Sequence, residues 1–310
     1  MSLFQHLIPA DDAVFFSKDD PHDLRLGQVV LRDKQDYARC NWVLVGCPQD
    51  EGIARNQGRT GARKAPHTIR QALYRYPVSE ELQHIRLFDA GDINIADTLE
   101  ETHERLEAMV TSMLADGKKA LVLGGGNDIS YPDGRAAASR AKKLLALNID
   151  RHLDVRATEP RNSGTPYRQL LDEGSFDPAL FHEVAANSFA NPKAYIDFVE
   201  RIGAHIHYLG DLRDNGVGKT IRSIVDSSDA DGIFFGFDMD SVRAVEAPGV
   251  SAPGPMGLTA REICEIADVA GGDPRTLLIE ISEVNPDYDL DGITSKLAAN
   301  ILVRAMAAAR

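Results

Sequence analysis

LLALNIDRHLD, residues 144–154, decides the reading of the fold. An apolar run of strand length, LLALNI (144–149), passes directly into a polar string, Asp150, Arg151, His152, Leu153 and Asp154. A run of that kind is expected of a parallel strand buried on both faces. Polar residues just beyond it then stand at the strand's carboxyl end, where open parallel sheets bind their ligands. Working outward, the arrangement recurs twice. ALVLGG (120–125) is followed by Gly126, Asn127 and Asp128, and IFFGF (233–237) by Asp238, Met239 and Asp240. WVLVGC (42–47), IHYLG (206–210) and TLLIEI (276–281) read as further strands. Helical periodicity marks the stretches 99–117, 191–203, 259–271 and 292–310, with Asn191, Thr259 and Thr294 as caps near helix starts. Parallel strands need crossovers, and helical crossovers pack back onto the sheet. The alternation therefore predicts an α/β fold, a three-layer α/β/α sandwich with a central, mostly parallel sheet. No repeat, low-complexity tract or linker divides the chain, so residues 1–310 are read as a single domain. The Gly/Pro-rich stretch 246–257 lies between motifs and reads as a functional loop.

The 47 acidic against 34 basic residues give a net charge of -13, which argues against nucleic acid or an anionic membrane as the main partner and for a small-molecule substrate. Cys40, Cys47 and Cys264 cannot form a fully paired framework and match no thiolate zinc spacing, so a reducing, cytoplasmic location is expected. Cys47 reads as an inert buried thiol. The opening residues lack the basic and apolar regions of a signal peptide, and no later run reaches bilayer-spanning length.

In extended backbone, residues two apart share a face, so Asp150, His152 and Asp154 point together, as do Asp238 and Asp240. Four ionised carboxylates in one crevice repel unless positive charge compensates them, and two divalent cations would do so. Carboxylates with little imidazole favour a hard or borderline ion such as manganese. Water bridging two such ions is acidified and becomes a nucleophile without an activated serine or cysteine. Either motif alone is commonly a solvated loop; their joint occurrence at strand ends points to a metal pocket. His205 and His207 read as core-edge or surface residues, and His67, His84 and His182 lack ligand-like partners at useful spacing.

These motifs resemble those of the ureohydrolase superfamily, the arginase, agmatinase and formiminoglutamase group of binuclear manganese enzymes. The usual Gly-Gly-x-His is represented by Gly124 to Asn127, Asp-Ala-His-x-Asp by Asp150 to Asp154, Asp-x-Asp by Asp238 to Asp240, and Glu-Val-Asn-Pro by Glu283 to Pro286. NQGRTGA (56–62), SGTPY (163–167) and APGVSAPGP (247–255) are most similar to the formiminoglutamase branch. The resemblance implies an arginase-like fold and two manganese ions per subunit. One ion would be held by Asn127, Asp150, Asp154 and Asp238, the other by His152, Asp150, Asp238 and Asp240. The implied reaction, a step of histidine degradation, is hydrolysis of N-formimino-L-glutamate to L-glutamate and formamide by a metal-bridging hydroxide. Glu283 would hold the imino group, and Asp154 would pass a proton to the leaving amine.

A dianionic substrate calls for guanidinium groups, and Arg156, two residues past Asp154, is the foremost candidate, with Ser163 and Arg59 beside it. Where arginases carry a shuttle histidine, counting lands on Tyr167, so proton transfer is expected to rely on Asp154, water or the tyrosine. Asn127 in place of histidine predicts a weaker first metal site. Arg151, where the family has alanine, should turn away from the metals into a salt bridge or a channel lining. A homo-oligomer, trimer or hexamer, is implied by the same resemblance. The alternatives are another amidine or guanidine hydrolase, agmatinase- or arginase-like, and a non-catalytic arginase-like scaffold with weakened metal binding.

Overall fold

The structure is a computed structural model and describes residues 4–309. Its strands are β1 (Leu7–Ile8), β2 (Trp42–Gly46), β3 (Leu87–Ile93), β4 (Lys119–Leu123), β5 (Leu144–Ile149), β6 (Phe181–Ala186), β7 (His205–Tyr208), β8 (Gly232–Asp238) and β9 (Thr276–Ser282). They form one nine-stranded sheet in the order β1-β3-β2-β4-β9-β8-β5-β6-β7. The short β1 pairs antiparallel with β3, and every other pairing is parallel. Side-chain alternation divides the apolar residues between two cores. Trp42 and Leu44 join one and Val43 and Val45 the other. Helices 65–73, 217–227, 260–272 and 293–308 cover the first face, and helices 99–115, 130–138, 166–172 and 193–202 cover the second. This is the three-layer sandwich expected from the sequence.

Three strands escaped the sequence reading: β1, only two residues long, and β3 and β6, each of which carries a buried acidic side chain. β3 places Asp89 inside the protein, where the Arg70 guanidinium grips it at 2.9 and 3.0 Å. β6 buries Glu183, which accepts a hydrogen bond from Asn148 Nδ2 at 2.8 Å. The run 206–210 is not one strand: β7 ends at Tyr208, and Leu209 and Gly210 open the helix Leu209–Asn215.

Of the three expected caps, Thr259 is confirmed. Its hydroxyl accepts from Glu262 N–H at 3.1 Å while the Glu262 carboxylate accepts from Thr259 N–H at 2.7 Å. Asn191 is not a cap; its side chain accepts from Leu153 N–H and donates to the Arg151 and Asn187 carbonyls, tying the segment after β6 to the one after β5. Thr294 lies inside its helix, whose first N–H groups are taken by Asp289 instead, with Thr294 and Ser295 both donating at 2.8 Å. Among the described residues no helix is long and apolar enough to cross a membrane.

The central strands are β4, β9, β8 and β5, side by side. Their carboxyl ends lead into Gly124–Asn127, Glu283, Asp238–Asp240 and Asp150–Asp154, so sheet order alone gathers the polar motifs into one crevice.

Candidate metal centre

β5 hands over to the site when the Asp150 N–H bonds to the Val184 carbonyl at 2.9 Å. The Asp150 carboxylate then accepts from His152 N–H at 2.8 Å, and the Asp238 carboxylate likewise accepts from Asp240 N–H at 2.8 Å. These two turns aim the next ligands back over the strand ends. Asp154 and Glu283 have left-handed backbones, with φ of 44° and 65°. Such conformations cost about 1–3 kcal/mol each and persist where the surroundings over-determine them, as at ligand sites. Gly125 lies between two chain segments. A β-carbon there would sit 1.5 Å from the Gln49 carbonyl, and its own carbonyl accepts from Glu283 N–H at 2.8 Å.

Two groups of side chains bring ligand atoms within 4.8 Å of one another, Asp150 with His152 and Asp240, and Asp150 with Asp154 and Asp238. Asp150 is shared. His152 Nδ1 stands 3.5 Å from Asp150 and 3.3 Å from Asp240. The donor set fits divalent cations because one oxygen each of Asp150 and Asp240 is buried without any hydrogen-bond partner, a costly state that a cation would relieve. Electrostatics of the bare site agree. Burial, with Asp240 and Asp154 nearby, pushes the Asp150 carboxyl up to about 8. Burial raises Asp154 to about 6 and Glu283 to about 8, and lifts Asp238 well above the ordinary range. Burial opposes a charge on His152, but the carboxylates of Asp240 and Asp150 overcome it and hold the imidazole up to about 12. A buried site this reluctant to hold its negative charge is one that gains by binding positive charge.

Asn127 is buried beside this cluster, and both ends of its amide are bonded. Nδ2 donates to Asp154 at 2.6 Å, and Oδ1 accepts from the Ser130 and Ser282 hydroxyls at 2.9 and 3.0 Å. The carbonyl expected to be a ligand therefore faces the hydroxyls in this structure. A half-turn of the amide exchanges its two ends and presents the oxygen toward Asp154 and the cluster.

A pocket of about 330 Å³ opens over the cluster, lined by His152, Asp154, Asp238, Asp240 and Glu283 together with Arg156, Ser163 and Arg59. Arg156 makes no ion pair among the described residues; it lies against Gly164, about 6.0 Å from the Tyr195 ring. Ser163 accepts from Asn56 Nδ2 at 3.0 Å. Arg59 is committed differently: it donates to the Val250 and Ser251 carbonyls and stacks 4.1 Å over Tyr288, holding the 246–257 loop at the pocket mouth.

Arg151 departs from expectation. It forms no salt bridge among the described residues and does not line the pocket; its guanidinium packs against Gly254, and its Nε is buried without a partner. Tyr167 is fully buried and donates to Ser130 at 3.1 Å, which removes it as a proton carrier. Cys47 is fully buried, and burial pushes its thiol well up. His182 does find a partner, but away from the pocket: its Nδ1 is 2.9 Å from His207 Nε2.

Sequence reasoning missed Gln57, Tyr195 and Ser251 as lining residues and misread Asn191 as a cap. Gln57 and Ser251 do fall inside strings singled out as branch-specific, whereas Tyr195 carried no signal.

Residues 40–308 match the model of the arginase family. The chain belongs to the arginase family. Among its arginase-family relatives, formimidoylglutamase of Rhodococcus opacus is 33% identical over 296 residues, covering 91% of this chain and 90% of that protein. Formimidoylglutamase of Bacillus subtilis is 34% identical over 277 residues, covering 85% and 86%. A crystal structure of Trypanosoma cruzi formiminoglutamase with Mn2+ superposes with a TM-score of 0.86 at 35% identity, covering 92% of this chain and 98% of that one. Proclavaminate amidino hydrolase of Streptomyces clavuligerus, at 26% identity, gives a TM-score of 0.81 over 90% of this chain and 94% of that one.

Proposed function

We propose that this arginase-family chain is a manganese-dependent hydrolase that converts N-formimino-L-glutamate to L-glutamate and formamide. The observation that carries the reading is Arg156, a guanidinium without an anionic partner among the described residues, at the wall of a pocket whose floor is the shared-carboxylate cluster. A substrate with an amidine at one end and two carboxylates at the other matches that polarity. The formimidoylglutamase relatives support it independently.

Asp150, His152, Asp154, Asp238 and Asp240 would hold two manganese ions, with Asn127 beside the weaker one. When bound, the ions would compensate the carboxylates, polarise the amidine and lower the pKa of water between them. The protein's own groups do the rest. Arg156, with Ser163, binds and orients the carboxylates, because a planar guanidinium pairs with carboxylate through two parallel hydrogen bonds, while Arg59 holds the 246–257 loop beside them. Glu283, anchored by the Asn127 N–H at 2.8 Å, holds the imino nitrogen. Asp154, which lines the pocket, carries a proton to the amine of glutamate as the carbon–nitrogen bond breaks. The continuous sheet supports treating residues 1–310 as one domain; a trimeric or hexameric assembly and a cytoplasmic location complete the proposal.

A second reading, another amidine or guanidine hydrolase, is favoured by the likeness to the Streptomyces enzyme. Steady-state kinetics at saturating manganese on formiminoglutamate, arginine, agmatine and guanidinobutyrate separate the two. The highest kcat/KM is expected on formiminoglutamate, and the lowest there would sink the proposal. Metal analysis of the loaded protein should give two ions per chain; fewer than one at millimolar manganese would favour a non-catalytic scaffold.

A further inference from the structure

The walls of the pocket converge on a buried carboxylate that the proposed reaction does not use. Asp128 follows Asn127 in the short helical turn Asn127–Ile129 and is 1% exposed. Its Oδ2 accepts from Gln49 Nε2 and faces His103 Nε2, each at 2.7 Å. Its Oδ1 has no hydrogen-bond partner among the described residues and is pressed against the backbone at Gly52, where a β-carbon would come within 1.9 Å. Gly52 in turn accepts from the Ser163 N–H at 3.1 Å. One carboxylate thus touches the turn carrying Asn127 and the segment leading to Asn56 and Arg59, and through Gly52 it reaches the loop carrying Arg156 and Ser163.

His103 extends the connection. It lies in helix 99–115, is 1% exposed, and its second ring nitrogen, Nδ1, lies 3.3 Å from Arg161 Nη1. Arginine can only donate, so Nδ1 is the acceptor and the ring proton sits on Nε2, where it is donated to Asp128. That fixes the tautomer and makes a directional chain from guanidinium through imidazole to carboxylate. Arg161 is in the same loop as Arg156 and Ser163, its guanidinium 4.4 Å over the Tyr131 ring and its carbonyl accepting from Arg55. Two independent routes, one through Gly52 and one through His103, therefore join Asp128 to the wall that would bind the substrate's carboxylates.

We propose that His103 and Asp128 form a positioning pair that sets the carboxylate-binding wall of the pocket against the turn beside the metal ligands. This rests on the formiminoglutamate reading. Displacing a binding group by about an ångström weakens substrate capture severely, and groups held by packed, hydrogen-bonded partners are the ones that keep their place. The pair touches no reacting atom, so its loss acts on substrate through Arg156 and Ser163 and on the metal side through the turn that carries Asn127.

The test compares His103→Leu, which removes both links, with His103→Gln, whose amide offers one N–H to Asp128 and one carbonyl to Arg161. At saturating manganese, His103→Leu should raise KM for formiminoglutamate about 10-fold or more while kcat stays within about 3-fold, and His103→Gln should restore KM to within about 3-fold. A lowered Tm with unchanged KM in the leucine variant would reduce the pair to a structural role and overturn the proposal, as would a glutamine variant no better than leucine. If the leucine variant does not fold, Arg161→Met removes only the partly exposed end of the chain, and it too must raise KM. Wild-type activity is measured first. A wild type inactive on formiminoglutamate refutes the substrate reading alone, and the pair is then judged without substrate, by the manganese concentration giving half the maximal thermal shift. That midpoint should rise in His103→Leu and return in His103→Gln; an unchanged midpoint overturns it.

Discussion

Replacing Asn127 with histidine sets two opposing effects against each other, and the structure gives both a size. The asparagine is buried and bonded to Asp154, Ser130 and Ser282. Ser130 keeps Glu280 as a partner at 2.6 Å, but Ser282 has only Asn127 among its side-chain bonds. Stranding that hydroxyl costs about 1–3 kcal/mol. Fitting a larger ring into a closed site adds about 1–3 kcal/mol. The metal-free variant should therefore be less stable by about 2–6 kcal/mol, a fall in Tm on the order of 3–9 °C for a chain of this size. Against this, imidazole is a better donor than an amide. Outer-shell changes alone alter metal affinity ~10–100-fold, so the direct gain should reach at least about 1.4–2.8 kcal/mol. The wild type is thus the more stable protein without metal, and the variant gains on it as manganese rises. Thermal melts across a manganese titration, with activity measured at limiting metal, give both terms. An unchanged metal-free Tm together with an unchanged manganese midpoint would refute the reasoning, because it would mean that Asn127 neither fills its site nor faces the cluster.

Three further outcomes are expected. Arg156→Ala should raise KM for formiminoglutamate by about 10- to 100-fold, with Arg156→Lys recovering only part, since an ammonium cannot make the paired contact; steady-state kinetics would show an unaffected KM if the guanidinium binds no carboxylate. In the metal-free protein, Asp150, Glu283 and Asp154 have folded values near 8, 8 and 6, above their unfolded ones. Raised carboxyls give stability that is present below the unfolded value and lost as pH climbs through the folded one, and His152, raised to about 12, has the same sign. Metal-free Tm should therefore fall between about pH 4 and pH 8, and the manganese-induced rise should grow over that window; a manganese shift independent of pH would contradict it. Thr259→Ala removes half of a capping box that is not part of the pocket lining and should cost about 1 kcal/mol in melts while leaving kinetics unchanged.

How far the sequence could be read depended on where charge was buried. β5 and β8 stood out because their interiors are apolar and their polar residues begin only at the carboxyl end. β3 and β6 did not, since Asp89 and Glu183 break the apolar runs, and the residues that neutralise or bond them, Arg70 and Asn148, are distant in the chain. The ligand cluster was legible for the same reason β5 was. Asp150, His152 and Asp154 could be grouped at once because they begin where the apolar run stops, although it is a turn and the left-handed Asp154, not the strand alternation expected, that bring them together. The pocket walls were not, because Tyr195 and Ser251 reach the site from a helix and a loop whose placement depends on tertiary packing. Arg151 and Tyr167 show the limit of counting along the chain: one packs under Gly254 and the other is sealed against Ser130.

The strand order has a consequence for how the protein comes into being. β4 and β5 are close in the chain but not in the sheet, where β9 and β8 separate them. A nascent chain that has released Asp150, His152 and Asp154 still lacks Asp238 and Asp240, and even after β8 emerges its neighbour towards β4 is missing until residues 276–282 are made. The crevice is closed only when β9, far along the chain from β4, takes its place between β4 and β8. A chain released no further than β8 therefore has the Asp and His ligand candidates but an open sheet edge, the kind of exposed pairing surface that invites aggregation and degradation.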